Sequence, residues 1–149
     1  MTHSTWNLNS IPFQKGRIAI VTGANTGLGF ETALALAAKN MEVILACRNM
    51  QKAEAAKVKI LQKYALAKVE CMQIDLSSLQ SVRAFAANFL KQYEALDLLI
   101  NNAGIMIPPF SLTEDGFESQ MGANYFGHFL LTDLLLETIV KTPNSRVVS

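Results

Sequence analysis

Five short apolar runs recur along the chain, at residues 17–22, 42–47, 68–74, 96–100 and 146–149, with longer polar stretches of helical spacing between them. The runs are too short for helices and are dominated by aliphatic residues, so they read as strands. Between the first two, residues 27–40 form a helical pattern with Leu28, Ala35 and Leu36 among its apolar positions and Asn40 as its stop. Residues 49–64 are rich in Ala, Lys, Gln and Glu, which favour helix. Ser77 or Ser78 can cap a third helix reaching Gln92, where Leu79, Val82, Phe85, Ala86, Phe89 and Leu90 follow the i, i+3, i+4, i+7 rule. A long helical region is expected over residues 113–141, opened by Thr113, Glu114 and Asp115.

Strands that alternate with helices argue for an α/β protein with a parallel sheet covered on both faces. Right-handed crossovers then predict a Rossmann-like, doubly wound sheet of order 3-2-1-4-5. The whole chain is expected to be a single nucleotide-binding domain. It has an irregular arm over residues 1–15 and a sheet that stops after the start of strand five.

Composition narrows the function. A chain of 149 residues with 50% hydrophobic content can bury a core of ordinary size. Thirteen basic and 12 acidic residues leave a net charge of +1 with no basic run, so neither nucleic acid nor an anionic membrane is an expected partner. No window reads as a membrane span, and the first fifteen residues do not read as a secretion signal. Cys47 and Cys71 lack metal-ligand spacing and sit in apolar runs. They read as buried reduced thiols, which suits a cytoplasmic protein and gives no reason to expect a metal.

The chemistry begins at Thr22-Gly23-Ala24-Asn25-Thr26-Gly27-Leu28-Gly29, directly between the first strand and the first helix. Glycines let backbone N–H groups approach a pyrophosphate, and a helix N-terminus adds partial positive charge. A nucleotide cofactor is the expected ligand, held by Gly23, Asn25, Thr26, Gly27, Leu28 and Gly29. The second strand ends at Ala46-Cys47-Arg48, where an acid is expected if the ribose carries a free 2′-hydroxyl. Arg48 instead suits a 2′-phosphate, so NADP is preferred to NAD. Asn49 and Lys52 can assist it or simply be solvated. Asp75, followed by Leu76, ends the third strand, where its carboxylate can accept from an adenine amino group or cap the next helix. Asn101-Asn102-Ala103-Gly104 follows the fourth strand, and Met121 to Thr132 contains Asn124-Tyr125-Phe126-Gly127-His128-Phe129.

The Gly-x-x-x-Gly-x-Gly spacing, the Asp75-Leu76 pair, the Asn101 to Gly104 tetrapeptide and the Asn124 segment together resemble the short-chain dehydrogenase/reductase family, and Ala46-Cys47-Arg48 with Gly127-His128-Phe129 resemble its branch of retinol dehydrogenases and protochlorophyllide reductases. The resemblance runs from about Gly16 to Ser149 and implies hydride transfer between NADP(H) and a small carbonyl or alcohol. It implies that Asp75 and Leu76 meet the adenine, that Asn102, Ala103 and Gly104 line the adenine-ribose part of the site, and that Asn124 is catalytic. In the family that asparagine interrupts its helix, and its carbonyl holds a water of a proton relay. His128 is discounted as an acid or base and read as a packed residue, and Phe126, Phe129, Leu130 and Leu134 as core or subunit contact.

The family's catalytic serine and Tyr-x-x-x-Lys pair are not found within these residues. None of Tyr64, Tyr93 and Tyr125 has a lysine four positions later in the expected place. Residues 1–149 alone are therefore expected to be inactive. A non-catalytic NADP-binding sensor or interaction module is the competing reading; a methyltransferase would leave the asparagine motifs unexplained. Ile105 to Leu112, with Met106, Pro108, Pro109 and Phe110, points to an apolar substrate entrance. The long helix around Asn124 is the face by which such proteins pair, so a homo-oligomer stays open for a longer form.

Overall fold

The computed structural model describes residues 7–149. After a 3-10 turn at Leu8–Ser10, the elements run β1 (Ile18–Thr22), α1 (Gly27–Ala38), β2 (Glu42–Cys47), α2 (Met50–Lys63), β3 (Val69–Gln73), α3 (Leu79–Gln92) and β4 (Leu98–Ile100). They continue with α4 (Ser119–Met121), a π-helical segment (Gly122–Phe126), α5 (Gly127–Lys141) and β5 (Arg146–Val148). The irregular arm expected over residues 1–15 lies partly outside the described residues. The five strands are all parallel in the order β3-β2-β1-β4-β5, as the alternation of elements predicted.

Both faces of the sheet are covered, and strand alternation sorts the residues between them. Ile20, Ile44, Ala46 and Leu99 pack with Phe85 and Phe89 of α3 and with Leu131, Leu135 and Ile139 of α5. Ala19, Val21, Val43, Leu45 and Cys47 face the other way, onto Ala33 and Ala37 of α1 and Ala53, Ala56 and Ile60 of α2. Alanines on that side leave room for the helices to approach the sheet. Thr22 follows Ile20 by two residues, so it points toward α3 and α5; this places the hydroxyl used in the site.

Helix starts follow local chemistry. Asn49 caps α2 by accepting from Lys52 N–H at 2.9 Å, and Ser78 caps α3 by accepting from Ser81 N–H at 3.2 Å. One boundary differs from the sequence expectation. No helix begins at Thr113, because Gly116 takes φ +81° and closes a turn in which Thr113 N–H donates to the Phe117 carbonyl at 2.8 Å. The helix starts at Ser119, where Glu118 accepts from the backbone N–H groups of Gln120 and Met121, each at 2.8 Å. Asp115 and Glu114 turn outward instead. Asp115 accepts from Leu79 N–H at 2.9 Å and Glu114 from the Ser78 hydroxyl, so the loop after β4 is strapped to the start of α3.

Candidate functional site

A cleft of about 670 Å³ opens at the C-terminal ends of the strands. Its floor is the turn between β1 and α1. Gly23 takes φ +66°, and a Cβ there would meet Ala103 Cα and Cβ at 3.0 Å. A Cβ on Gly29 would lie 2.5 Å from the Gly23 carbonyl oxygen and would also strike Asn102 Nδ2. Only glycine allows the helix start, the turn and the Asn102 side chain to stack this closely. Thr26 stands at the N-cap of α1 without a side-chain capping bond, so the first-turn N–H groups face the cleft uncapped by that hydroxyl.

Gly23, Asn25, Thr26, Leu28, Gly29, Arg48, Asp75, Leu76, Asn102, Ala103 and Gly104 all line this cleft. Gly27 and Asn49 are not among its lining residues. Gly27 supplies a positive φ of +57° to the turn, and the Asn49 carboxamide is committed to capping α2. Arg48 is exposed at the end of β2, beside the buried Cys47, and no carboxylate occupies residues 46–49. Burial raises the Cys47 thiol pKa, outweighing the Ala24 and Asn25 backbone N–H groups that favour thiolate. Asp75 uses Oδ1 to accept from the backbone N–H of Ser77 at 2.9 Å and from its hydroxyl at 2.6 Å, so it shapes the turn into α3 while lining the cleft.

Asn124 lies in the π-helical segment, so the local interruption of its helix is present. Its side chain is doubly held by one backbone: Oδ1 accepts from Ile105 N–H at 2.9 Å and Nδ2 donates to the Ile105 carbonyl at 2.8 Å. Directly beyond, Gly127 lies against the Leu76 carbonyl so closely that no Cβ would fit.

Two residues beneath the cleft escaped the sequence reading as site residues. Thr22, fully buried, accepts at Oγ1 from Asn102 N–H and Ala103 N–H, both at 3.0 Å, while Asn102 Nδ2 donates to the Thr22 carbonyl at 2.9 Å. The Thr22 hydroxyl also lies 3.0 Å from His128 Nε2, and His128 Nδ1 lies 3.0 Å from the Asn124 carbonyl. His128 is buried, as expected of a packed residue, and burial lowers its pKa. The signal for Thr22 was its place two residues after Ile20 on an alternating strand.

The model of the short chain dehydrogenase family matches residues 17–149. The chain belongs to that family. Curated relatives of this short-chain dehydrogenase chain include human retinol dehydrogenase 13, 49% identical over 134 residues, which cover 90% of this chain and 40% of that protein. A chloroplastic short-chain dehydrogenase TIC 32 B of Brassica napus is 50% identical over 119 residues, covering 80% of this chain and 37% of that one. The chain thus spans about 40% of the length of the curated relatives it matches. Among solved structures, an uncharacterized protein of Mycobacterium paratuberculosis superposes with a TM-score of 0.78 at 45% identity, covering 89% of this chain and 46% of that one. A metagenomic short-chain oxidoreductase in complex with NADP gives 0.78 at 25% identity, covering 89% and 61%.

The remaining aromatic and apolar residues divide. Leu130 and Leu134 pack against the core, Phe117 packs against Phe126 with the rings tilted by 31° and 4.3 Å between centroids, and Phe129 is 63% exposed. In the loop after β4, Met106, Ile107 and Phe110 are exposed beside Ile105, Pro108 and Leu112, which line the cleft. Tyr64 does have Lys68 four residues later, but Tyr64 caps the C-terminus of α2 and Lys68 pairs with Glu42 at the start of β2. Both lie at the opposite end of the strands from the cleft. No described helix is long and apolar enough to cross a membrane, and no metal-binding cluster occurs among the described residues.

Proposed function

We propose that this chain is the cofactor-holding part of an NADP-dependent oxidoreductase that transfers hydride between NADP(H) and an apolar carbonyl or alcohol. The observation that carries the choice of NADP is Arg48, on the rim of the cleft at the end of β2 with no carboxylate beside it. A carboxylate there would repel a 2′-phosphate, whereas a guanidinium pairs with it. The close-stacked glycines and the uncapped α1 terminus suit a pyrophosphate. Asp75 with Leu76 suits the adenine, and Asn102, Ala103 and Gly104 suit its ribose. Bound NADPH would supply the hydride.

The chain's own part is to bind and orient. Asn124, clamped by Ile105, offers its carbonyl at the π-helical bend as the group that holds a water of the proton relay. No tyrosine–lysine pair lies at the cleft within these residues, so residues 1–149 by themselves should not oxidise NADPH. The exposed apolar loop around Met106, Ile107 and Phe110 favours an apolar substrate, in keeping with relatives named for retinol. The free thiols Cys47 and Cys71 favour a reducing compartment such as the cytoplasm.

Calorimetric titration with NADPH and NADH tests the reading. Loss of a charge-assisted contact of about 1.5–3 kcal/mol in Arg48→Ala should weaken NADPH about 10- to 150-fold and leave NADH nearly unchanged. Equal affinity for both cofactors in the native chain would refute the assignment of Arg48.

A further inference from the structure

His128 bridges two parts of the site that are far apart in sequence. Its ring lies between the Asn124 carbonyl and the Thr22 hydroxyl, each 3.0 Å from one ring nitrogen. The partners decide which nitrogen carries the proton. A carbonyl can only accept, so Nδ1 must donate to Asn124. Thr22 Oγ1 already accepts from two backbone N–H groups, those of Asn102 and Ala103. Both of its lone pairs are thereby used, and a donating Nε2–H would be a third donor on the same oxygen. Nε2 must therefore be the bare nitrogen, accepting the Thr22 hydroxyl proton. The Ile100 carbonyl, 3.3 Å from that hydroxyl, is the longer alternative for the proton.

We propose that neutral His128, protonated at Nδ1, is a positioning residue that locks the asparagine bend to the cofactor loop through the relay Asn124 carbonyl, His128, Thr22 hydroxyl and the backbone of Asn102 and Ala103. The relay sets a polarity: each group donates in one direction, so the Thr22 oxygen keeps both lone pairs for the loop only while Nε2 is bare. It also gives the Asn124 carbonyl a fixed donor, leaving its second lone pair for the water that the proposed function assigns to it. Burial of the ring works in the same direction, since it disfavours the doubly protonated form. The role in cofactor binding rests on the NADP reading above; the relay itself does not.

Two measurements on the chain with 15N-labelled histidine separate these. Imidazole nitrogen shifts of His128 at pH 7.5 should report a protonated Nδ1 and a bare Nε2. A bare Nδ1 with a protonated Nε2 would overturn the proposal without any variant. Amide hydrogen exchange should then rise about five- to tenfold at Asn102 and Ala103 in His128→Leu, the scale of one lost neutral hydrogen bond, while Ile44 and Leu45 stay protected. His128→Gln, whose amide can still reach Thr22, should recover part of that protection. Unchanged exchange at Asn102 and Ala103, or an equal rise across the sheet, would reduce His128 to packing. NADPH affinity should fall about five- to tenfold in His128→Leu by the same argument. If the native chain binds no NADPH, the NADP reading fails, while the nitrogen shifts and the exchange pattern still decide the relay.

Discussion

Replacing Thr22 by Val isolates the hydroxyl that the site is built on. The two side chains have nearly the same volume and the same β-branch, so β1 keeps its packing and no cavity forms. What disappears is one oxygen with three partners at 3.0 Å, Asn102 N–H, Ala103 N–H and His128 Nε2, beside the longer 3.3 Å contact to the Ile100 carbonyl. A buried polar group left unpaired costs about 1–3 kcal/mol. Asn102 and Ala103 are only partly buried and can regain some solvent, so the lower end applies, about 1 kcal/mol for each of the three partners. The expected destabilisation is about 3 kcal/mol, which at a urea m-value of about 1.5–2 kcal/mol/M lowers the unfolding midpoint by about 1.5–2 M. Thr22→Ser keeps the hydroxyl and loses one buried methyl, worth about 1 kcal/mol. Urea unfolding followed by far-ultraviolet circular dichroism on the three proteins gives the comparison. If Thr22→Val unfolds within about 0.5 kcal/mol of the native chain, or later than Thr22→Ser, the hydroxyl does not hold the loop at Asn102 and Ala103 and the reasoning fails.

Three further outcomes are expected. Gly29→Ala would force a Cβ to within 2.5 Å of the Gly23 carbonyl oxygen, and overpacking of about 2 kcal/mol should lower the melting midpoint by about 4–8 °C and weaken NADPH; a melting curve matching the native one would show that the turn relaxes freely. Because burial lowers the His128 pKa from 6.5, the unfolded chain binds the extra proton first. The histidine's contribution to stability is therefore complete above pH 6.5 and is lost as pH falls through the lower folded value. Urea midpoints at pH 7.5 and 5.0 should show a smaller acid loss in His128→Gln, and an identical loss in both proteins would contradict this. Cys71 is pushed up to about 12, first by burial and then by Glu54, and Cys47 is raised as well. Iodoacetamide at pH 8 should leave both thiols unmodified in the folded chain and label both in urea; rapid native labelling of either would refute it.

Much of this protein is legible without its structure, because the decisive signals are local. The runs at 42–47 and 17–22 are apolar on both alternating faces, as strands covered on both sides must be. The cap of α3 was legible as Ser77 or Ser78, since a cap acts within three residues of itself, and the structure selects Ser78; Asn49, read as a phosphate-side residue, caps α2 instead. Gly23 and Gly29 announce a close-packed turn, since no other residue tolerates that space. The missed start of the long helix is also instructive. Thr113, Glu114 and Asp115 form a good helix opening, but Gly116 and the pairing of Asp115 with Leu79, 36 residues earlier, make a better use of the same acids.

The amino-acid order by itself thus determined the strands, most of the helices, the parallel sheet and the cluster of cleft-lining residues at the strand ends, because periodicity, caps and glycine turns act over a few neighbours. Only the tertiary structure decided how those residues are held. Thr22 and His128 are separated by 106 residues, and nothing in the local pattern of either requires the other. They meet because strand alternation turns Thr22 toward the face on which α5 packs, and because Gly127, lacking a Cβ, lets that helix settle against the Leu76 carbonyl. Hydrogen bonds across such a distance depend on packing geometry, which hydrophobic patterning fixes only to the level of a face, not of an atom.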